Sequence, residues 1–398
     1  MDITIQPNKL YGTIDAIASK SQAHRLLICA AFADKPTQLH LKQTNQDITA
    51  TAECLCGLGA EICTAEYGYH VVPAQNIPAS AVLPCNESGS TLRFLLPVVG
   101  ALGVDAVFQM NGRLPSRPLS PLKEELERMG CRITRRTETT LRCQGKLKCG
   151  QYYIDGGISS QFITGLLLAG AVVEEPISVN ITGKLESAPY VEITRHVLRT
   201  FGIDPDALGN CRPHTPGEIT VEGDWSNAAF YLAANKLGSK ITVNHLNMDS
   251  PQGDKAIKDI LQLLDTAPTV DCTDIPDLVP VLAVTAAGLN GAVFTGIRRL
   301  RLKESDRVMT VCNMIDSLGG KTAVAEDMLT VYPTGIIGGT VDACGDHRIA
   351  MAAAIAATVA QNPVTILGAE CVSKSYPGFW EDYQQLGGYY EQHIRSDP

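Results

Sequence analysis

The segment GDHRIAMAAAIAATVA, Gly345 to Ala360, opens with an acid, an imidazole and a guanidinium and then carries no charge from Ile349 to Ala360. A helix lying on a protein surface shows a polar stripe at helical spacing. This stretch has none, so the pattern predicts a helix buried on every side, with only its head facing something polar. The pattern recurs in SKSQAHRLLICAAFA from Ser19, ESGSTLRFLLPVVGALG from Glu87, ISSQFITGLLLAGAVV from Ile158, GDWSNAAFYLAANKLG from Gly223 and IPDLVPVLAVTAAGLNG from Ile275. Each has a short head with Ser, Thr or Asp, whose side chains accept from the orphan N–H groups of a first helical turn, and then a largely apolar body.

A second kind of segment alternates with the first: an amphipathic helix, a small residue and a short strand. AECLCGLGAEI, LKEELERMGCRI, HVLRTFGI, IKDILQLLDTAPTV and VCNMIDSLGGKTAV follow it, and WEDYQQLGGYY more faintly. Glycine just past a helix is the expected stop, because it tolerates the left-handed turn. Buried helices occur in any α/β protein; the regular pairing of two types argues for a repeated unit. Six units predict an α/β chain of two domains with three units each, apolar helices inside and strands outside. Helix N-termini carry partial positive charge and free donors. Six heads turned toward a gap between two domains would make that gap favour anions.

Composition narrows the chemistry. The chain has 398 residues, 45% hydrophobic and 19% charged, as in ordinary globular proteins. Uncharged runs such as Phe162–Val173 are too short to span a bilayer. The start, MDITIQPNKLYG, lacks a basic head and apolar core, so no signal peptide is expected, and the expected location is the cytoplasm. The 13 cysteines are odd in number and scattered, without C-x-x-C or H-x-x-x-H, so reduced thiols and no metal site are expected. A formal charge of -9 and the lack of a basic tract argue against nucleic acid. Any anionic ligand must then be held by local groups of Arg and Lys. No G-x-x-x-x-G-K-[ST], G-x-G-x-x-G or G-x-S-x-G occurs, which points away from nucleotide loops and serine hydrolysis.

Several heads carry candidate chemistry. In SKSQAHR, Lys20, Ser21 and Arg25 sit on the first turns of an apolar helix, so their charges must emerge at its end or meet an anion. In LRLKESDRV, Lys303, Glu304, Asp306 and Arg307 crowd a helix start. Alone this reads as a solvated turn laced by ion pairs; the alternative is a phosphate or carboxylate clamp with Glu304 placed for proton transfer. Ser159, Ser160 and Gln161 suit capping, and capping suffices for them. Gly89 allows a backbone to approach a ligand closely. Arg117, His347, Arg348 and Lys374 add further positive or proton-carrying groups on heads and loops. Asp277 precedes an apolar helix, either as its cap or as a general base kept ionised among cations.

Taken in order, S-K-S…R, S-G-S-T-x-R, R-P, S-S-Q-F, K-E-S-D-R, D-H-R-x-A-M and K-S-Y-P run from Lys20 to Lys374. In this the chain resembles the 5-enolpyruvylshikimate-3-phosphate synthase family of enolpyruvyl transferases. The resemblance implies two domains of three βαβαββ units, each with buried parallel helices and outer sheets, inverse to a barrel. It implies that residues 1–14 and 224–398 form one domain with both termini, that residues 15–223 form an inserted one, and that the active site lies in the cleft between them. The implied reaction moves the enolpyruvyl group of phosphoenolpyruvate to the 5-hydroxyl of 3-phosphoshikimate, in aromatic amino acid biosynthesis. Its two small-molecule substrates are the implied partners. No cofactor, nucleic acid or membrane is expected, and the protein is expected to act as a monomer.

By the same resemblance, Lys20, Ser21, Arg25, Ser159, Ser160, Gln161, Ser187, Tyr190, Asp277 and Lys303 match positions around 3-phosphoshikimate. Lys20, Gly89, Arg117, Gln161, Arg307, His347, Arg348 and Lys374 match the phosphoenolpyruvate site. Asp277 matches the base for the 5-hydroxyl proton, and Glu304 and Lys20 the groups handling the proton at the methylene carbon. Gly89 matches the glycine that leaves room for glyphosate. Glu87 departs from the pattern, standing where many members have Asn. Two alternatives stand beside this reading. A UDP-N-acetylglucosamine enolpyruvyl transferase typically has a Cys shortly before the R-P pair, and NGRLPSRPL has none. A non-catalytic anion-binding relative would have no need of Asp277, Lys303, Glu304, His347 and Lys374 together.

Overall fold

The computed structural model of the protein describes residues 1–393. The chain divides into two compact units, one from Ala18 to Glu222 and one joining Met1–Ile17 to the chain from Gly223 onward. The Ala18–Glu222 unit holds helices α1 (Lys20–Ala31), α2 (Gln46–Gly57), α3 (Gly89–Leu102), α4 (Leu122–Arg128), α5 (Ser160–Gly170) and α6 (Ala188–Thr200). The other holds α7 (Trp225–Lys236), α8 (Ile257–Leu263), α9 (Val279–Gly288), α10 (Arg307–Ser317), α11 (His347–Ala357) and α12 (Phe379–Gln385).

The odd-numbered helices are the six apolar-bodied segments of the sequence, and the even-numbered ones are the amphipathic set. In α11 every residue is buried, as its missing polar stripe requires. Helices α7, α9 and α11 pack on one another in the core of their unit, and α3 packs along α5 in the other. Ser, Asn and Asp caps start these helices where the heads were read: Ser19, Ser88, Ser159, Asp224 and Asp346 each accept from a backbone N–H in the first turn. α9 differs. Its N-cap is Leu278, with no side-chain cap, so Asp277 is released from the capping role considered above.

Each unit carries three sheets among the described residues, and none closes into a barrel. In the Ala18–Glu222 unit the first sheet orders Glu218–Thr220, Thr37–His40, Gly68–Val72 and Glu61–Ala65. The second orders Ser80–Asn86, Asp105–Met110, Thr140–Gln144 and Arg132–Thr137. The third is a parallel pair, Gly150–Asp155 with Ile177–Thr182. In the other unit, Gly339–Asp342, Val364–Leu367, Asp2–Ile5 and Tyr390–His393 form one sheet. Thr269–Asp271, Ala292–Thr295, Met328–Val331 and Thr322–Ala325 form another, and Lys240–Asn244 pairs in parallel with Tyr11–Asp15.

The four-strand unit is thus complete in two sheets of each body, and the third is a pair. The physical reason is visible after α6. The stretch from Gly202 to Gly217 contains Pro205, Pro213 and Pro216, which cannot donate to a ladder, and only an isolated bridge, Ile177 with Leu208, forms there. The next strand, Glu218–Thr220, adds to the first sheet instead, in parallel with Gln38–His40. No helix among the described residues is long and apolar enough to cross a membrane.

Close packing of α3 and α5 has a test. A Cβ added at Gly165 would lie 2.3 Å from the Arg93 carbonyl oxygen and 3.0 Å from Pro97 Cγ. Glycine to alanine inside a helix ordinarily stabilises by about 0.5–1 kcal/mol. Gly165→Ala is expected to do the opposite, destabilising by about 1–3 kcal/mol through overpacking. Urea denaturation followed by circular dichroism measures the sign.

Candidate active site

The sequence-selected residues fall into two groups, one on each unit. On the unit containing α7–α12, the centre is Arg307, the first residue of α10 and fully buried. Its Nε donates to Asp346 Oδ2 at 3.0 Å, one terminal nitrogen to Asp277 Oδ1 at 2.8 Å, and the other to Glu304 Oε2 at 2.6 Å and Asp346 Oδ1 at 3.2 Å. Asp346 is also the N-cap of α11, accepting from the Arg348 N–H, and it takes a hydrogen bond from Ser305 Oγ at 2.9 Å. One acid therefore fixes the head of α11 and the side chain that starts α10.

Asp277 receives three cations. Arg307 holds Oδ1, Arg348 donates to Oδ2 at 3.0 Å, and Lys303 Nζ stands 3.5 Å from Oδ1. Burial pushes the carboxyl up, but Arg348, Lys303 and Arg307 together outweigh it and hold Asp277 well below the usual carboxylate range. For Lys303, burial dominates and lowers the ammonium despite Asp277. For Arg307, burial is overcome by Asp346, Glu304 and Asp277, which leave it more firmly protonated than usual. His347 is buried at the first position of α11, and Lys374 is buried at the end of a 3-10 turn, Ala369–Lys374, packed against α11.

The Ala18–Glu222 unit is organised differently. Lys20, at the start of α1, pairs with Asp47 in the first turn of α2 at 2.9 Å. Arg25 is buried, yet its partners are all neutral: Thr194 Oγ1 at 2.7 Å, Thr164 Oγ1 at 3.1 Å, the Tyr190 carbonyl at 3.0 Å and the Ser21 carbonyl. Its guanidinium also lies 4.8 Å from the Phe94 ring centroid. Burial lowers it to about 9, so it remains a cation at neutral pH. Ser187 caps α6 in the left-handed region at φ 56, with Tyr190 in the first turn behind it.

Gly89 begins α3, and a Cβ there would lie 2.6 Å from a terminal nitrogen of Arg93 and 2.7 Å from one of Arg117. Two guanidiniums thus converge on a position that only glycine leaves open. Arg93 donates to Gln161 Oε1 at 3.1 Å, and Gln161 donates to Ser90 Oγ at 3.1 Å, which ties the head of α5 to that of α3. Ser159 caps α5 and Ser160 is buried behind it. Glu87 is exposed and its carboxylate rests over Gly112, where a Cβ would lie 2.0 Å from Oε1.

Within each unit the expected residues do meet. Asp277, Lys303, Glu304, Arg307 and Arg348 form one cluster, and Gly89, Arg117 and Gln161 share the Arg93 neighbourhood. The sequence reading passed over Asp47, Arg93, Asp346 and Asp254. Arg93 and Asp346 stand inside quoted motifs without a role; Asp47 and Asp254 carry no local signal, since their partners are remote in the chain. Asp254 is buried, and burial, then the charge of Asp277, push its carboxyl up to about 7, against the pull of Arg348.

That shift gives a pH prediction. Unfolded, Asp254 would titrate near 3.8; folded, near 7. Between these values the folded state binds more protons, so this group's contribution to stability is whole below the lower value and is lost as pH rises through the upper one. Asp254→Asn mimics the neutral form. It is expected to raise stability relative to the parent at pH 8 more than at pH 5, as read by urea denaturation at both.

Comparison with known proteins identifies the family. The family model described as EPSP synthase (3-phosphoshikimate 1-carboxyvinyltransferase) matches residues 5–383. A Clostridium beijerinckii protein named 3-phosphoshikimate 1-carboxyvinyltransferase is 35% identical, covering 98% of each chain. One of the same name from Clostridium kluyveri is 36% identical over 97% of each. A solved EPSP synthase from Acinetobacter baumannii superimposes with a TM-score of 0.79 at 23% identity, over 98% of this chain and 100% of that one. The enolpyruvyl transferase NikO from Streptomyces tendae shares the fold, with a TM-score of 0.74 at 18% identity over 98% of both. The chain belongs to the EPSP synthase (3-phosphoshikimate 1-carboxyvinyltransferase) family.

Proposed function

We propose that this protein transfers the enolpyruvyl group of phosphoenolpyruvate to the 5-hydroxyl of 3-phosphoshikimate and releases phosphate, a step toward aromatic amino acids. The observation that carries the reading is the Asp277 carboxylate held by Arg307, Arg348 and Lys303. Addition across an enol ether needs a base at the attacking oxygen and an acid at carbon. Asp277 is the base; Lys20 and Glu304 serve the methylene carbon. In elimination these roles reverse, the methyl group gives back a proton, and phosphate departs.

The clamp on Asp277 makes it a weak base while the substrates are absent. Phosphate and carboxylate groups compete for Arg307, Arg348 and Lys303. As they take those donors, Asp277 loses stabilisation as an anion and its affinity for the 5-hydroxyl proton rises. The remaining assignments follow the same charge logic. Lys20, Ser21, Arg25, Ser159, Ser160, Gln161, Ser187, Tyr190, Asp277 and Lys303 hold 3-phosphoshikimate. Lys20, Gly89, Arg117, Gln161, His347, Arg348, Arg307 and Lys374 hold phosphoenolpyruvate. In this reading residues 1–14 and 224–398 form one substrate-holding domain and residues 15–223 the other. The protein acts as a cytoplasmic monomer.

Phosphate release from phosphoenolpyruvate, with and without 3-phosphoshikimate, tests the activity. Release is expected only with both present; release with UDP-N-acetylglucosamine instead would favour the sister reaction. Asp277→Ala is expected to keep or tighten binding of both anions, since it removes a carboxylate that competes for Arg307, Arg348 and Lys303, while turnover drops by about 10²–10⁴-fold. Normal turnover in that variant would refute the base assignment.

Glyphosate is expected to compete with phosphoenolpyruvate. Gly89→Ala pushes the Arg93 and Arg117 guanidinium ends aside. It is expected to raise the KM for phosphoenolpyruvate on the order of tenfold, which is about 1.4 kcal/mol, and to weaken glyphosate inhibition. Inhibition kinetics on parent and variant measure both effects.

A further inference from the structure

One polar feature lies outside the substrate-binding set. His24 Nδ1 is 2.7 Å from Thr51 Oγ1, Thr51 Oγ1 is 2.7 Å from Thr91 Oγ1, and the Thr91 hydroxyl donates to Ser88 Oγ at 2.7 Å. All four side chains are buried, none more than 1% exposed. They link α1, α2 and α3 in a single file through a core that is otherwise Leu, Val, Phe and Ala. Buried hydroxyls and imidazoles each carry a desolvation cost that apolar residues of similar shape avoid.

The file has a direction. The one Thr91 hydroxyl proton goes to Ser88 Oγ, or to the Asp47 carbonyl at 3.4 Å. Thr51 must therefore donate to Thr91, and its own oxygen must accept from His24. That assigns the Nδ1–H tautomer to His24. Nε2 is left without a hydrogen-bond partner among the described residues, on a ring set perpendicular to Phe94 with centroids 6.1 Å apart. Burial lowers the imidazole to about 3, so the ring stays neutral and the direction holds at working pH.

The two ends of the file are informative. His24 lies one turn beyond Lys20 on α1, and Thr51 one turn beyond Asp47 on α2, so His24–Thr51 repeats the Lys20–Asp47 pairing one turn deeper. Ser88 is the N-cap of α3, directly before Gly89, and it also accepts from the Thr91 N–H. Arg25 is anchored elsewhere, on Thr164 of α5 and Thr194 of α6.

We propose that the His24–Thr51–Thr91–Ser88 file is a positioning device that holds the Gly89 turn in register for phosphoenolpyruvate. It leaves the Arg25 group that serves 3-phosphoshikimate unaffected. The role rests on the activity proposed above. Thr51 is the middle link, and its loss breaks the file on both sides.

The test is steady-state phosphate release with each substrate varied. Thr51→Val is expected to raise the KM for phosphoenolpyruvate about tenfold. The KM for 3-phosphoshikimate should stay within about twofold and Thr51→Ser should restore most of the loss, since it keeps the hydroxyl. Thr91→Val should show the same split, and the double valine variant should be no worse than the poorer single one, because a file broken once is already broken. The ratio of variant to parent kcat/KM should be flat between about pH 6 and 9, as the imidazole does not titrate there.

Equal rises in both KM values, failure of serine to rescue, additive losses in the double variant or a pH-dependent ratio would each overturn the proposal. If both valine variants fail to fold while Thr51→Ser behaves as the parent, the file serves stability alone and the proposal also falls. A parent that releases no phosphate overturns the activity itself; an active parent with unchanged Thr51→Val kinetics overturns only the positioning role.

Discussion

A charge taken into an apolar interior must meet an opposite charge or a full set of hydrogen bonds, and this constraint places nearly every functional group in the protein. The odd-numbered helices are apolar along their bodies, so cations can sit only at their heads, where the chain emerges and N–H donors face outward. Lys20 and Arg25 on α1, Arg93 on α3, and Arg348 on α11 obey it. Arg307 obeys it from the amphipathic α10, buried at the head with three carboxylates around it. The acids that answer these cations come from other elements. That requirement ties Asp277, Asp346 and Glu304 to one hub, Arg307.

This constraint also explains what could be read from the chain. The missing polar stripe in Ile349–Ala360 announced a buried helix, and repetition of that pattern located all six apolar helices. Glycines after the amphipathic segments marked their stops. The candidate residues were legible because charge at the head of an apolar run has few structural uses. Their partners were not. Asp277 and Arg348 are 71 residues apart, and Arg25 and Thr194 are 169 apart, so no local pattern encodes either contact. Asp277 illustrates the ambiguity: a carboxylate before a helix reads as a cap, and only the fold shows Leu278 in that place and the carboxylate turned to three cations. Asp254 sits in SPQGDK, an ordinary loop sequence, and its raised carboxyl is a product of burial and of Asp277. The two-stranded third sheet of the Ala18–Glu222 unit was missed for a more local reason, since the prolines between Gly202 and Gly217 were visible but were not weighed against the repeat.

The two units solve the same electrostatic problem in opposite ways, and the difference bears on how an acidic protein holds polyanions. Around Asp277 the cations are committed to carboxylates, so under the proposed function an arriving phosphate would exchange one anionic partner for another. Arg25 is paired with neutral groups: the acceptors around it fix its orientation without neutralising it. Under the proposed function such a cation would gain its counter-ion when ligand binds, with the desolvation cost met by the fold beforehand. The first arrangement alters the basicity of the carboxylate it releases, and suits a site where a proton must move. The second alters nothing but affinity, and suits a site that only holds. A net charge of -9 is no obstacle to either, because both act within a few ångströms, where local partners outweigh the screened field of the distant surface.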